Sequence, residues 1–283
     1  MARVSIGLPT YNGAEFIGEC LASLRDQSFE DFEVFISDNG STDGTSDICA
    51  DFARTDKRFR HVFYPETVPA TENFIRARDM TSAPYFCWRA DDDLADREHL
   101  AGLVSALDGN PQAVLAVSPV LRITESAERL FELPSSIAND RVGRIRDILI
   151  GCHPSWFYGL WRREATDSAL GGFANYEFAW AADHLAMLPA ILDNAVALSP
   201  EGRFIQRIKR QANYHLPPDK LLQARKQYRQ LALEMIAERE WSPAELKIIR
   251  RALELHLERR VAPWFKTHKR AIKHKLRSAL PFG

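Results

Sequence analysis

The sequence predicts an α/β protein, with strands in a largely parallel sheet, helices on both of its faces, and a helical C-terminal extension. Three observations carry this. Short β-branched or aromatic runs alternate with helix-period stretches through the first 110 residues, the order of a βαβ-wound sheet. Polar loops follow three of those strands, at the edge where an open parallel sheet takes its ligand. From about Pro217 the apolar spacing is helical to the end.

The elements follow in order. Val4–Leu8 reads as the first strand, then a helix near Ala14–Arg25, a strand over Phe32–Ser37, a helix near Thr45–Arg54, a strand over His61–Tyr64, a helix near Thr71–Met80 and a strand over Tyr85–Trp88. Ala113–Val117 and Phe157–Trp161 read as further strands, with helices near Arg97–Leu107, Arg144–Ile150 and Ala182–Leu192. In the last part, Ser242-Pro243-Ala244-Glu245 offers an N-cap, a proline at the first helical position and a capping-box glutamate. The division expected is residues 1–215 as the α/β domain and 216–283 as a helical, basic extension.

With 283 residues, 46% hydrophobic and 27% charged, the chain can bury a sizeable core. Its four cysteines form no CxxC pair, which argues against a zinc site or a disulfide framework and for a reducing compartment. No apolar run approaches the roughly 20 residues of a membrane span, and no leader pattern opens the chain, so a cytoplasmic protein, at most peripheral at the inner face of a membrane, is expected. Charge is unevenly spread. Residues 1–110 hold 10 Lys/Arg against 20 Asp/Glu, while residues 259–283 hold 8 Lys/Arg and no acid. The acidic first part disfavours nucleic acid as a partner, and the basic end, with Trp264, Phe265, Ile272 and Leu276 among its lysines and arginines, suits an anionic membrane surface or a helix packed on the domain.

The strand-end loops hold the residues with chemical promise. Pro9-Thr10-Tyr11-Asn12-Gly13 follows the first strand, Asp38-Asn39-Gly40-Ser41-Thr42-Asp43-Gly44 the second, and Asp91-Asp92-Asp93 the fourth. Three adjacent carboxylates repel one another, and hard cations such as Mg²⁺ or Mn²⁺ relieve this while bridging to phosphate oxygens. The triplet therefore asks for a divalent metal and a diphosphate. The bland alternative is a solvated turn with Asp93 or Asp96 capping the next helix.

Taken together, these segments resemble a family 2 glycosyltransferase of the GT-A fold. The resemblance rests on Ser5–Asn12, on Leu21–Phe35 with its Gln27-Ser28-Phe29 and Phe32-Glu33 landmarks, on Ile36–Thr45, on Asn73-Phe74 and on Trp88–Asp93, with a weaker continuation in Tyr158–Arg163 and Ala182–Leu185. It implies a nucleoside-diphosphate sugar donor, UDP-, dTDP- or GDP-linked, lying across the strand ends, with Pro9 and Tyr11 beside the base. Asn39 stands where many members carry an aspartate that reads uracil; an amide both donates and accepts, so it keeps the capacity to read a pyrimidine. Asp91 and Asp92 match the acidic pair of the family's DxD-type motif, Asp91 toward the ribose and Asp92 toward the metal, with Asp93 a further metal contact and Ala90 where a leading aspartate often stands. The resemblance also implies inversion, a saccharide or lipid-linked acceptor, and an acidic base in the second half of the chain. Asp183 is the first choice for that base, with an N-cap as its alternative role, and Glu177 the second.

Other residues are weaker candidates: His153 and His184 for an acceptor pocket, Arg76 and Arg78 for the diphosphate, Arg162 and Arg163 for an anionic acceptor. Two further readings remain open. A catalytically degenerate saccharide- or nucleotide-binding protein would share the motifs. A sugar nucleotidyltransferase would need a basic, Gly-rich loop after the first strand, and Pro9–Gly13 has no basic residue.

Overall fold

A computed structural model describes residues 2–208 and 216–279. The chain separates into two compact units: residues 1–133, 155–167 and 195–210 form the first, and residues 134–154, 168–194 and 211–283 the second. The division is thus not a single cut near 215, a position that itself lies outside the described residues. Two inserted segments, 134–154 and 168–194, group with the C-terminal helices.

The first unit is the α/β body. Its strands are β1 (Val4–Thr10), β2 (Phe32–Asp38), β3 (Phe59–Phe63), β4 (Tyr85–Trp88), β5 (Leu94–Ala95), β6 (Leu115–Val117), β7 (Val120–Ile123), β8 (Glu128–Phe131), β9 (Leu160–Arg162), β10 (Val196–Leu198) and β11 (Phe204–Arg207), and its helices are α1 (Ile17–Arg25), α2 (Thr45–Thr55), α3 (Ala70–Asp79) and α4 (His99–Asp108). A seven-stranded sheet runs β10-β6-β9-β4-β1-β2-β3, and a four-stranded sheet runs β5-β11-β7-β8. In the large sheet β1 pairs in parallel with both β2 and β4, while β9 runs antiparallel to β4 and β6.

The apolar runs form strands because both faces of this sheet are covered: every residue of β1 is buried, as is every residue of β4. The core joins Val4, Ile6 and Leu8 of β1 to Val34 and Ile36 of β2, and to Leu21 and Leu24 of α1 and Leu100 and Leu103 of α4. Each such side chain contributes about 1.5–3 kcal/mol on burial. Asn73 of α3 is buried between them and closes both its hydrogen-bonding ends on Ser37 of β2, accepting from the hydroxyl at 2.6 Å and donating to the carbonyl at 3.0 Å.

β1 leads outward between β2 and β4, and chain order reverses there, because β2 and β3 lie on one side and β4 on the other. Such a switch point opens a crevice at the carboxyl ends of the strands. Pairing of β1 with β4 stops at Gly7 opposite Trp88, whereas pairing with β2 continues to Thr10 opposite Asp38. Pro9, which has no N–H for a ladder, therefore stands where β4 has already parted from β1.

The second unit is helical: α5 (Arg141–Gly151), α6 (Thr166–Ala174, entered from the first unit), α7 (Ala182–Leu192), α8 (Pro218–Ala237), α9 (Pro243–His256) and α10 (Trp264–Ala279). The expected capping box is present, with Ser242 accepting from the Glu245 N–H and Glu245 accepting from the Ser242 N–H. Among the described residues no helix is long and apolar enough to cross a membrane.

Candidate active site

The three polar loops meet at the carboxyl ends of β1, β2 and β4. Thr10, the last residue of β1, spans the parting strands: its hydroxyl donates to Asp91 Oδ2 at 2.6 Å, and its carbonyl accepts from the Asn39 N–H at 3.0 Å. Gly13 makes the Asp91 position possible. A Cβ there would lie 2.4 Å from Asp91 Oδ2 and 3.0 Å from Thr10 Oγ1, so any side chain would push the carboxylate away. Tyr11 projects from the same turn and is 53% exposed, unusual for a large aromatic ring at the edge of a core.

The second loop is held by Asp38, which is fully buried at the end of β2. Its Oδ1 accepts from the Ser41 N–H at 2.9 Å, and its Oδ2 from the Ser46 hydroxyl and, at 3.3 Å, lies against His61 Nε2. Burial alone would raise this carboxyl, but the bonds from Ser46, Ser41 and His61 outweigh it and hold the group below its ordinary value. Gly40 turns the chain at φ 81°, a left-handed conformation that a Cβ disfavours. The loop is then laced to the first: the Asn12 N–H donates to Ser41 Oγ, the Gly13 N–H to Thr45 Oγ1, and the Thr42 N–H to Asn12 Oδ1. Asn39 is buried and turned toward the segment before α3, donating from Nδ2 to the Val68 carbonyl and accepting at Oδ1 from the Val68 N–H. One amide proton and one lone pair remain for any further contact.

In the third loop the carboxylates face different surroundings. Asp91 and Asp92 keep part of their surface open to solvent, whereas Asp93 is 4% exposed and accepts at Oδ1 from the Arg207 N–H at 2.9 Å. Burial, with the Asp92 charge beside it, pushes the Asp93 carboxyl up to about 7. Asp93, expected as a metal contact, is thus directed into the protein, because β11 runs behind the loop and offers it a backbone donor. The Arg207 side chain completes the clasp: its guanidinium donates to the Asp92 carbonyl, pairs with Glu19 Oε2 at 2.5 Å and lies 4.8 Å over the Phe16 ring.

A hard divalent cation fits this donor set in its chemistry. Among the described residues no three His, Cys, Asp or Glu side chains are grouped to cage a metal ion. Mg²⁺ rarely asks for such a cage, since it binds through one or two carboxylates, keeps several waters and takes the rest of its shell from substrate phosphates. Asp91 and Asp92, adjacent and partly open, with Asp91 fixed by Thr10 and admitted by Gly13, supply the carboxylates.

Asp183 lies in the second unit, in the first turn of α7. Its Oδ1 accepts from the His184 N–H at 2.8 Å, and the helix is preceded by Ala181 at φ 62°, so the N-cap position belongs to Ala181 and not to Asp183. Some of its surface remains open, yet enclosure pushes its carboxyl up to about 6. His184, beside it, is buried with Nδ1 3.5 Å from Cys152 Sγ and its ring edge-on to His256; burial drives it down to about 3, so it stays neutral. His256 in turn lies 3.1 Å from the Tyr228 hydroxyl and 2.9 Å from the Leu149 carbonyl, tying α9 to α8 and α5. Glu177, the second choice for a base, is exposed.

The sequence model for glycosyl transferase family 2 matches residues 5–167, more than half of the chain. The chain belongs to that family. TuaG of Bacillus subtilis, named for teichuronic acid biosynthesis, is 25% identical over 151 residues, which are 53% of this chain and 59% of TuaG. The abequosyltransferase RfbV of Salmonella typhimurium is 33% identical over 117 residues, 40% of this chain and 34% of RfbV. This chain therefore spans about a third to three-fifths of the length of these relatives. Among solved structures, S. aureus TarS (residues 1–349) with UDP-GlcNAc superposes with a TM-score of 0.70 over 92% of this chain and 73% of that one, at 18% identity. A mannosyltransferase from Pyrobaculum calidifontis, solved with GDP-Man and Mn²⁺, does so with a TM-score of 0.60 over 99% and 76%, again at 18%. At these identities the likeness is one of fold, and the fold is GT-A.

For a family 2 chain, the residues singled out from sequence divide cleanly. Pro9, Tyr11, Asn39, Asp91, Asp92 and Asp93 fall inside the matched region and gather at one sheet edge; Asp183 falls outside it. Arg162 and Arg163 are occupied by structure: Arg162 donates to the Ala113 and Leu107 carbonyls, and Arg163 to the Arg78 carbonyl and the Thr81 hydroxyl. Arg78 is paired with Asp79 and Asp167. Arg76 lies 4.0 Å over the Tyr64 ring and has a buried Nη1 with no partner among the described residues. Two residues that sequence reasoning passed over prove central to the loops, Asp38 and Arg207. Asp38 stood in the quoted motif and could have been separated from Asn39 by its place as the last residue of an otherwise apolar strand. Arg207 carries no local signal, because it reaches the acidic loop from 114 residues away.

Proposed function

We propose that this chain transfers a sugar from a nucleoside-diphosphate donor to a hydroxyl acceptor, with inversion and with help from a divalent cation. The observation that carries the reading is the pair Asp91 and Asp92, held partly open at the switch point of the sheet beside exposed Tyr11. The TarS and mannosyltransferase structures, solved with UDP-GlcNAc and with GDP-Man, support a sugar nucleotide as donor.

In this reading Tyr11 stacks on the base, and Asn39 contributes its remaining amide proton and lone pair at the base edge. Asp91 accepts from the ribose, its orientation set by Thr10. Asp92 carries the cation, and Asp93, turned toward Arg207, fixes the backbone of the loop. When bound, the cation neutralises the charge that develops on the departing diphosphate. Arg76 Nη1 supplies a further donor for an anionic group. Asp183 is the base that takes the acceptor proton: a carboxyl raised to about 6 is still ionised at neutral pH and is a better proton acceptor than an ordinary one. The acceptor would be a saccharide or lipid-linked saccharide, in keeping with relatives such as a Campylobacter jejuni enzyme named as acting on an undecaprenol-linked glycan.

The test is release of nucleoside diphosphate from UDP-, dTDP- and GDP-sugars with Mn²⁺ or Mg²⁺, with and without saccharide acceptors. Metal-dependent release from one donor class is expected; binding of donor without any release or transfer would instead favour a protein that only binds the sugar nucleotide.

A further inference from the structure

The face of α10 that points away from the rest of its unit has no evident structural use. Thr267 and Ala271, one turn apart, are buried on the side toward α8. Phe265 and Ile272, two turns apart, are 77% and 60% exposed, the two most exposed large hydrophobic side chains among the described residues. Burying a phenylalanine or isoleucine side chain stabilises a fold, yet this helix turns a threonine and an alanine inward and its large apolar residues outward. Lys266, Lys269 and Arg270 are exposed beside this stripe. At about 100° per residue, Lys269 borders the stripe and Lys266 and Arg270 follow it around the helix. On its other border, Trp264, 50% exposed, and His268 line a cavity of about 420 Å³ with Lys226 and Arg229 of α8. Glu258 accepts from the Trp264 N–H and pairs with Arg225, and Glu254 pairs with Arg229, so the acids near this end of the helix are already used. Lys273, Lys275, Leu276 and Arg277 would extend the pattern, but their side chains lie outside the described residues.

We propose that α10 is an interfacial helix that seats this protein on an anionic phospholipid surface. Phe265 and Ile272 enter the boundary between headgroups and acyl chains, Trp264 sits at headgroup level, and Lys266, Lys269 and Arg270 meet lipid phosphates. Charge complementarity selects this occupant. A second copy paired through this same stripe would bring the same cations against one another, and the stretch from residue 259 onward holds no acid to pair them. Each cation near such a surface strengthens partition about fivefold, so three of them give a factor of about 10² before the apolar contribution. This inference does not rest on the transferase reading: vesicle binding is measured without donor, and either can fail alone.

The experiment is co-sedimentation of the full chain with phosphatidylcholine vesicles, with and without phosphatidylglycerol, at low and high salt. Partition onto the phosphatidylglycerol vesicles is expected, weakened by salt as the Debye length shortens. Lys266→Glu with Lys269→Glu should lower it at least about 20-fold, and Phe265→Ser with Ile272→Ser at least about tenfold, with helical circular dichroism unchanged in both. Equal partition onto neutral vesicles, no partition at all, or variants that bind as the wild type does would overturn the proposal. So would a dimer in sedimentation velocity that Phe265→Ser with Ile272→Ser dissociates, since that would give the stripe to a second copy.

Discussion

Asp38, at the head of the second strand-end loop, and Asp183 of α7 are held in opposite ways. Asp38 is wholly buried yet stays below its ordinary value because Ser46, Ser41 and His61 all point at it. Asp183 keeps some solvent and receives a single backbone N–H, and enclosure raises it to about 6. Burial raises both carboxyls; at Asp38 the converging donors outweigh it, and at Asp183 they do not. The first arrangement makes a permanent anion around which a loop is built. The second makes a group able to gain and release a proton near neutral pH, which is what a general base requires.

The largest effect should come from Asp92→Asn, which keeps the shape and removes the charge. We expect metal-stimulated turnover to fall by about 10³-fold or more, the scale of several kcal/mol of lost leaving-group stabilisation, with an unchanged melting temperature. Turnover within tenfold of wild type at saturating donor would remove Asp92 from the cation.

Asp183→Asn should lower kcat by about 10²-fold or more with little change in donor affinity. In the wild type, kcat should rise with pH through an acid limb near 6, and the variant should lose that limb. Its stability provides a second reading. A carboxyl raised on folding loses stability as pH climbs from about 4 to about 6, so the amide should be more stable than the wild type at pH 7 by about 1–2 kcal/mol, allowing for the solvent that still reaches the site. A residue serving only to satisfy the first turn would give a loss instead.

Asp38→Ala sharpens the other side of the comparison. Leaving the Ser41 N–H and the Ser46 hydroxyl unsatisfied should cost about 2–3 kcal/mol in urea unfolding at pH 7. Because the folded group is held below its unfolded value, that contribution is present above about pH 4 and fades as pH falls through the folded value. A difference between variant and wild type that stays constant down to low pH would mean that ionisation of Asp38 is immaterial. Gly13→Ala should do less: the new methyl displaces the end of a side chain, so the fold survives while Asp91 moves, and donor affinity should fall about tenfold. An unaltered Kd would detach Asp91 from the ribose.

Much of the α/β body was legible because β1, β2 and β4 are buried, largely apolar runs; Tyr85–Trp88 coincides with the expected strand, and in the second unit Ala182–Leu192 coincides with the expected helix. The small second sheet was not. Its strands are two to four residues long, β8 is mostly exposed, and none alternates for long enough to show a period of two. Phe157 was read as opening a strand but belongs to a tight turn over Pro154–Tyr158, with the strand starting at Leu160, since a proline and a glycine bracket the segment. The same limit applies to the site. Residue type and spacing pointed to the acidic loop, but only the position of β11 separates inward Asp93 from the more open Asp91 and Asp92.

The central claim is that the strand-end loops bind a nucleoside diphosphate through a cation on Asp92. Isothermal titration of UDP and GDP into the wild type and Asp92→Asn, each with and without Mn²⁺, addresses it directly. The account predicts that one nucleotide binds the wild type with Mn²⁺ at least about tenfold more tightly than without, and that this gain disappears in the variant. The same gain in Asp92→Asn, or equally tight binding without metal in both proteins, would contradict it.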